Sequence, residues 1–188
     1  MIILNTLNKM YSDGYSGNEY TLDGWVHISM GSLEQEVGNL LRQKGLTLGT
    51  AESATGGLIS HLITNVPGSS DYYKGSVTAY SNEVKARVIG VKEATINKYG
   101  SVSPQVAEEM AQGGKKILAV DICLADTGIA GPSGATPGKP IGLFYIGLAH
   151  QAGTYSQKHN FQGNREQNKR NAADAALSWL KAYLISLE

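Results

Sequence analysis

Cysteine is almost missing from this chain. Cys123 is the only one in 188 residues, so no internal disulfide can form and stability must come from a packed core. It lies in the apolar run Ile122-Cys123-Leu124-Ala125, where burial rather than reactivity is expected. An excess charge of either sign is also missing: 16 basic residues balance 16 acidic ones. The basic pairs Lys115-Lys116 and Lys169-Arg170 are too short to make the electrostatic footprint of a nucleic-acid binder. No apolar run approaches the roughly 20 residues that cross a bilayer. The opening Met1-Ile2-Ile3-Leu4-Asn5 does not have the charged-then-apolar layout of a secretory signal. A cytoplasmic protein without nucleic-acid or membrane partners is therefore expected. His27, His61, His150 and His159 are scattered without ligand spacing, so neither a metal nor a cofactor is expected. The GxSxG elbow, the Walker loop and a GxGxxG opening a helix are all absent.

What the chain does have is the composition of a folded globular protein, 41% hydrophobic and 17% charged, at a length that suits one domain. Residues 1–30 read apart from the rest. They are rich in Tyr, Gly, Ser, Asn and Asp, lack sustained periodicity, and are expected to be an extension, poorly ordered or packed on another surface, with Met30 as an alternative start. Residues 31–188 then alternate. Ser32 and Gln35 match a capping box, and Leu33, Val37, Leu40 and Leu41 follow helical spacing up to the stop at Gly45. Strands are expected near 46–51, 75–80, 119–127, 141–149 and 154–161, the last two joined as a hairpin at Gln151-Ala152-Gly153. Helices are expected near 55–65, 82–89 and 93–98, from Ser103-Pro104 onward, and from Asn164 to the C-terminus. Such alternation implies a three-layer α/β/α sandwich on a mixed, mainly parallel sheet.

Four segments could carry chemistry. In Thr50-Ala51-Glu52-Ser53-Ala54-Thr55-Gly56-Gly57, a strand turns into a helix through Ser, Thr and Gly. Such a turn can present backbone N–H groups to an anion or oxyanion, and Ser53 could be a nucleophile if a base is near. Tyr80-Ser81-Asn82-Glu83-Val84-Lys85 follows the next strand. Residues at the carboxyl ends of neighbouring strands converge on one crevice, and a lysine kept neutral by burial can be the base for a serine. The same spacing also fits an ordinary capping serine, a strand-end tyrosine and an exposed helix lysine. The loop Thr127-Gly128-Ile129-Ala130-Gly131-Pro132-Ser133-Gly134 can wall the same crevice, its glycines allowing close backbone approach. Asn164 can cap the last helix and leave Arg165 where a phosphate could bind. Glu108-Glu109 is expected to be a solvated helix face.

Taken together these segments resemble the CinA C-terminal domain family, which includes stand-alone nicotinamide mononucleotide deamidases. The resemblance rests on Ala51–Gly57, Pro67-Gly68-Ser69-Ser70, Tyr80–Lys85, Gly100-Ser101-Val102-Ser103, Thr127–Pro132, Lys139-Pro140-Ile141-Gly142 and Phe161-Gln162-Gly163-Asn164-Arg165, in family order. The chain departs from the family pattern at Ala54, where cysteine is common, and at Ser76 and Ala135, where glycine is common. The resemblance implies hydrolysis of the carboxamide of nicotinamide mononucleotide to nicotinate mononucleotide and ammonia, in pyridine nucleotide salvage, without a metal. Ser53 would be the nucleophile, Lys85 its base and Tyr80 an assisting hydroxyl. Thr55, Gly56 and Gly57 would supply the oxyanion hole or a phosphate cradle, with Gly128 and Arg165 at the substrate. The family also implies a homodimer. Competing expectations are an amidase for another amide, and a silent paralogue that only binds a nucleotide or a partner.

Overall fold

The computed structural model describes residues 19–22, 25–28 and 31–187, with side chains from residue 31 onward. The chain divides into two compact units, Met1–Ser32 and Leu33–Glu188. Within the first, strands β1 (Glu19–Leu22) and β2 (Trp25–Ile28) pair antiparallel, Leu22 opposite Trp25. The remaining residues of the expected extension lie outside the described ones.

The second unit runs α1 (Leu33–Lys44), β3 (Leu48–Glu52), α2 (Leu58–Thr64), β4 (Tyr73–Thr78), then the short helix α3 (Asn82–Val84), which widens into a π-helical turn at Lys85–Ile89. It continues through α4 (Glu93–Tyr99), α5 (Pro104–Leu118), β5 (Ile122–Gly128), β6 (Leu143–His150), β7 (Gly153–Asn160) and α6 (Arg165–Ser186). The sheet order is β4-β3-β5-β6-β7. β3 pairs parallel with β4 and β5, whereas β5–β6 and β6–β7 are antiparallel. The sheet is mixed as expected, but its pairings are evenly split rather than mainly parallel. The tight β6–β7 hairpin and the loop from β5 back to β6 leave no room for a helical crossover on that side.

Alternation along the strands sorts two cores. Leu48 on β3 and Ile122 and Leu124 on β5 face Val37, Leu41, Ile59, Ile63, Leu177 and Leu180 from α1, α2 and α6. Ala51, Cys123 and Ala125 face Val106, Met110 and Ala111 of α5 on the other side. Burial pushes the Cys123 thiol up to about 12, so it is a packing residue. The caps follow the sequence. Ser103 accepts from Val106 N with Pro104 at the first helical position, and Asn164 and Gln167 form a full capping box at α6. α2 starts at Leu58, later than the periodicity implies, because Gly56 and Gly57 both take positive φ, which glycine tolerates best.

The expectation of a solvated face at Glu108-Glu109 is corrected. Glu109 accepts the Lys92 amide and the Thr95 hydroxyl, and Glu108 accepts the Ser156 hydroxyl, so each carboxylate ties α5 to a neighbouring element. Adjacent residues on a helix point in different directions, and here each half-buried carboxylate finds a partner on a neighbouring element.

Candidate active site

The carboxyl ends of β3, β4 and β5 open into one crevice of about 220 Å³. It is lined by Ser53 and Ala54 beyond β3, Tyr80, Asn82 and Lys85 beyond β4, Ser101 and Val102, the Thr127–Gly131 stretch with Ser133 and Gly134, and Arg165 from the start of α6.

At its floor the Lys85 amine lies 2.8 Å from Ser53 Oγ and 3.2 Å from the Ala79 carbonyl. Lys85 is 3% exposed and Ser53 6%. Burial lowers the Lys85 pKa, because a charged ammonium loses its water there, and the Asp126 charge works in the opposite direction. No ion pair engages Lys85 among the described residues. Lys85 reaches the floor because it sits where α3 widens into the π-helical turn, and such bulges occur often at functional sites. Ser81 caps α3 by accepting from Val84 N, which fixes where the turn begins.

Tyr80 lies two residues beyond β4 and is 63% exposed at the crevice mouth. Its hydroxyl accepts from Arg165 Nη2 at 2.8 Å, while Arg165 Nη1 donates to the Gly131 carbonyl at 2.7 Å. Arg165 thus joins the segment after β4 to the loop after β5. Gly128 closes β5 on the crevice wall. A Cβ there would come within 2.4 Å of Phe144, so close packing against β6 explains the glycine.

The expectation that Thr55, Gly56 and Gly57 present free N–H groups is corrected. The Thr55 amide donates to Asp126 Oδ2 at 3.1 Å, the Gly56 amide to the Ser53 carbonyl at 3.1 Å, and the Gly57 amide to Glu52 Oε2 at 2.8 Å. The reason is Glu52. Its fully buried carboxylate turns back under the start of α2 and also accepts the amides of Ile59 and Ser60, taking the donors that a ligand would otherwise use. The Ser53 amide is likewise taken, by Asp126 Oδ1 at 3.0 Å. In this turn only the Ala54 N–H has no acceptor among the described residues, and Ala54 lines the crevice.

Glu52 and Asp126 are the residues holding this turn that sequence reasoning missed. The available signal was a single charged residue in each of two otherwise uncharged strands, where an unpaired buried charge would be prohibitive. Burial pushes Asp126 up to about 6; the neighbouring Glu52 adds to the rise, while hydrogen bonds from Thr55 and Ser53 oppose it. Asn82, Ser101 and Ser133 were also not singled out. Among the described residues no three His, Cys, Asp or Glu side chains converge as a metal site would require. Nor, among the described residues, is any helix long and apolar enough to cross a membrane.

The fold and the crevice define an α/β protein with a buried serine–lysine pair at the carboxyl edge of its sheet. The chain belongs to the CinA C-terminal domain family, whose family model matches residues 30–184. It is 51% identical over 154 residues to a putative competence-damage inducible protein of Halothermothrix orenii, covering 81% of this chain and 37% of that one. A CinA-like protein of Geobacter metallireducens is 40% identical over 181 residues, which is more than residues 30–188 contain, and so the likeness reaches into the residues before Met30. The chain spans less than half the length of these relatives. Among solved structures, a CinA superfamily protein from Klebsiella pneumoniae superposes with a TM-score of 0.80 at 28% identity, over 82% of this chain and 96% of that one. One from Enterobacter cloacae covers 91% of this chain and 99% of its own, with a TM-score of 0.79 at 28% identity.

Proposed function

We propose that this chain is a serine–lysine amidohydrolase that converts nicotinamide mononucleotide to nicotinate mononucleotide and ammonia. The observation that carries the proposal is the 2.8 Å contact between the Lys85 amine and Ser53 Oγ at the floor of an open crevice. An ammonium there donates to Oγ; a neutral amine reverses the bond, accepts the hydroxyl proton and frees Oγ to attack. Burial favours the neutral amine, the form a general base requires.

In the first half-reaction Ser53 Oγ attacks the carboxamide carbon and Lys85 takes its proton. The Ala54 N–H, next to the nucleophile and uncommitted, is the candidate donor to the tetrahedral oxyanion. Lys85 returns the proton to the leaving nitrogen and ammonia departs. Lys85 then activates water against the Ser53 ester, releasing the nicotinate product. Tyr80 and Arg165 stand at the mouth, where the phosphate end of the substrate would lie. A homodimer in the cytoplasm, without a metal or nucleic acid, is the setting proposed with it.

The test is ammonia release from nicotinamide mononucleotide by the wild-type chain and Ser53→Ala, side by side. Release by wild type alone is the expected result. Equal release by both sinks the serine assignment. Absence of release in a folded, nucleotide-binding wild type points instead to the silent binding module.

A further inference from the structure

Thr55 has one hydroxyl proton, yet its Oγ1 contacts two carboxylates. Glu52 Oε2 is 2.7 Å away, and Asp126 Oδ1 is in contact as well. One proton cannot satisfy both contacts if both carboxylates are ionised. The extra proton has no place on Glu52. Its Oε2 already accepts the Gly57 and Ile59 amides, and its Oε1 the Ser60 amide and the Thr50 hydroxyl, itself bonded to Tyr73 Oη at 2.7 Å. Asp126 is less engaged: among the described residues its oxygens accept only the Ser53 and Thr55 amides besides the Thr55 contact. The arrangement that satisfies every atom runs from an Asp126 carboxylic acid to the Thr55 hydroxyl to the Glu52 carboxylate.

We propose that Asp126 is a positioning residue for this site: sharing one proton with Thr55 and Glu52, it holds the Ser53 turn and, through its charge, governs whether Lys85 stands as amine or ammonium. The proposal rests on the serine–lysine reading of the site and adds a residue that touches neither the nucleophile's oxygen nor the crevice. When Asp126 carries the proton, Thr55 bridges two unlike partners and the Asp126 charge no longer acts on Lys85. When the proton leaves for solvent, two anions compete for one hydroxyl, and the new charge favours the Lys85 ammonium, the unreactive form. Burial pushes the Asp126 carboxyl up to about 6, and the Asp126 charge acts upward on Lys85. Two groups coupled in this way titrate as a pair. The charged groups around Asp126 are Glu52 from β3 and Lys85 from the π-helical turn. Opposite it β6 places the apolar Ile146, and α6 brings the Lys169 amine only to the Gly56 side of the turn.

Two measurements test this. The first does not depend on turnover: carbon-13 NMR of aspartate carboxyls in the wild-type chain and in Lys85→Met. One carboxyl is expected to titrate near 6, and to move upward when the neighbouring cation is removed. Titration of every aspartate in the ordinary carboxylate range, or no response to Lys85→Met, overturns the proposal. The second is the pH profile of ammonia release by Asp126→Asn. With the charge gone, the acid limb of kcat/KM is expected to move down by about one pH unit while KM changes little. A purely structural role would lower kcat without moving the limb, and that result overturns the proposal. If the wild type releases no ammonia, the deamidase reading fails and the carboxyl titration still decides this inference. It also decides should Asp126→Asn not fold.

Discussion

Arg165 Nη2 donates to Tyr80 Oη at 2.8 Å, although 85 residues separate them. With Nη1 on the Gly131 carbonyl, one guanidinium holds together the last helix, the segment after β4 and the loop after β5 at the mouth of the crevice.

Removing that side chain should loosen substrate capture more than chemistry. Arg165→Ala is expected to raise KM by about 10-fold or more, the scale of one lost charged hydrogen bond, with a smaller effect on kcat. Arg165→Lys should not restore it, because a single ammonium lacks the planar fork that spans two acceptors. Steady-state kinetics on both variants would check this; an unchanged KM in Arg165→Ala would place the phosphate elsewhere.

Lys85 yields a prediction about pH. Its folded-state pKa is lowered by burial, so the amine becomes neutral below the usual lysine range. Activity should therefore rise along an acid limb that lies below that range. Lys85→Ala should lose on the order of 10²–10⁴ in kcat, and Lys85→Arg should lose a similar amount because arginine stays protonated. The lowered pKa also bears on stability. A buried amine favours the folded state above the unfolded-state pKa, and that contribution is lost as pH falls through the folded-state value. Lys85→Met should consequently flatten the loss of stability on acidification, as thermal melts at a series of pH values would show.

Glu52 is a stability determinant before it is anything else. Its carboxylate satisfies three amides at the start of α2 and the Thr55 hydroxyl. An amide in its place must turn a donor toward other donors. Glu52→Gln is expected to cost about 3 kcal/mol, at the upper end for hydrogen bonds to a charged group. For a chain of this size that lowers Tm by roughly 6–12 °C. A calorimetric scan showing no change in Tm would refute the capping role.

Gly147 on β6 lets the backbone of α5 come close to the sheet. A Cβ there would lie 2.3 Å from the Ala107 carbonyl oxygen. Gly147→Ala should push α5 outward and cost about 1–3 kcal/mol, the usual range for overpacking. Since α5 carries no crevice residue, KM should hold in the fraction that remains folded. Denaturant titration beside kinetics would separate the two effects.

The order of elements could be read along the chain because local chemistry fixes it. Ser103-Pro104 and Asn164 with Gln167 cap their helices, Gly56 and Gly57 break the chain before α2, and alternation along Ile122–Ala125 sends side chains to opposite faces. The sequence by itself also determined which residues could perform the chemistry: Ser53, Tyr80 and Lys85 each follow a strand, and strand ends of an α/β sheet share a crevice. What only the tertiary structure decided is who holds whom there. No periodicity shows that Glu52 folds back beneath α2, that Asp126 on a strand more than 70 residues away takes the Ser53 amide, or that Thr55 faces inward instead of toward a ligand. Those contacts depend on the packing of β3 against β5. In a buried space every donor must find an acceptor, and the acceptor nearest in space need not be near in sequence.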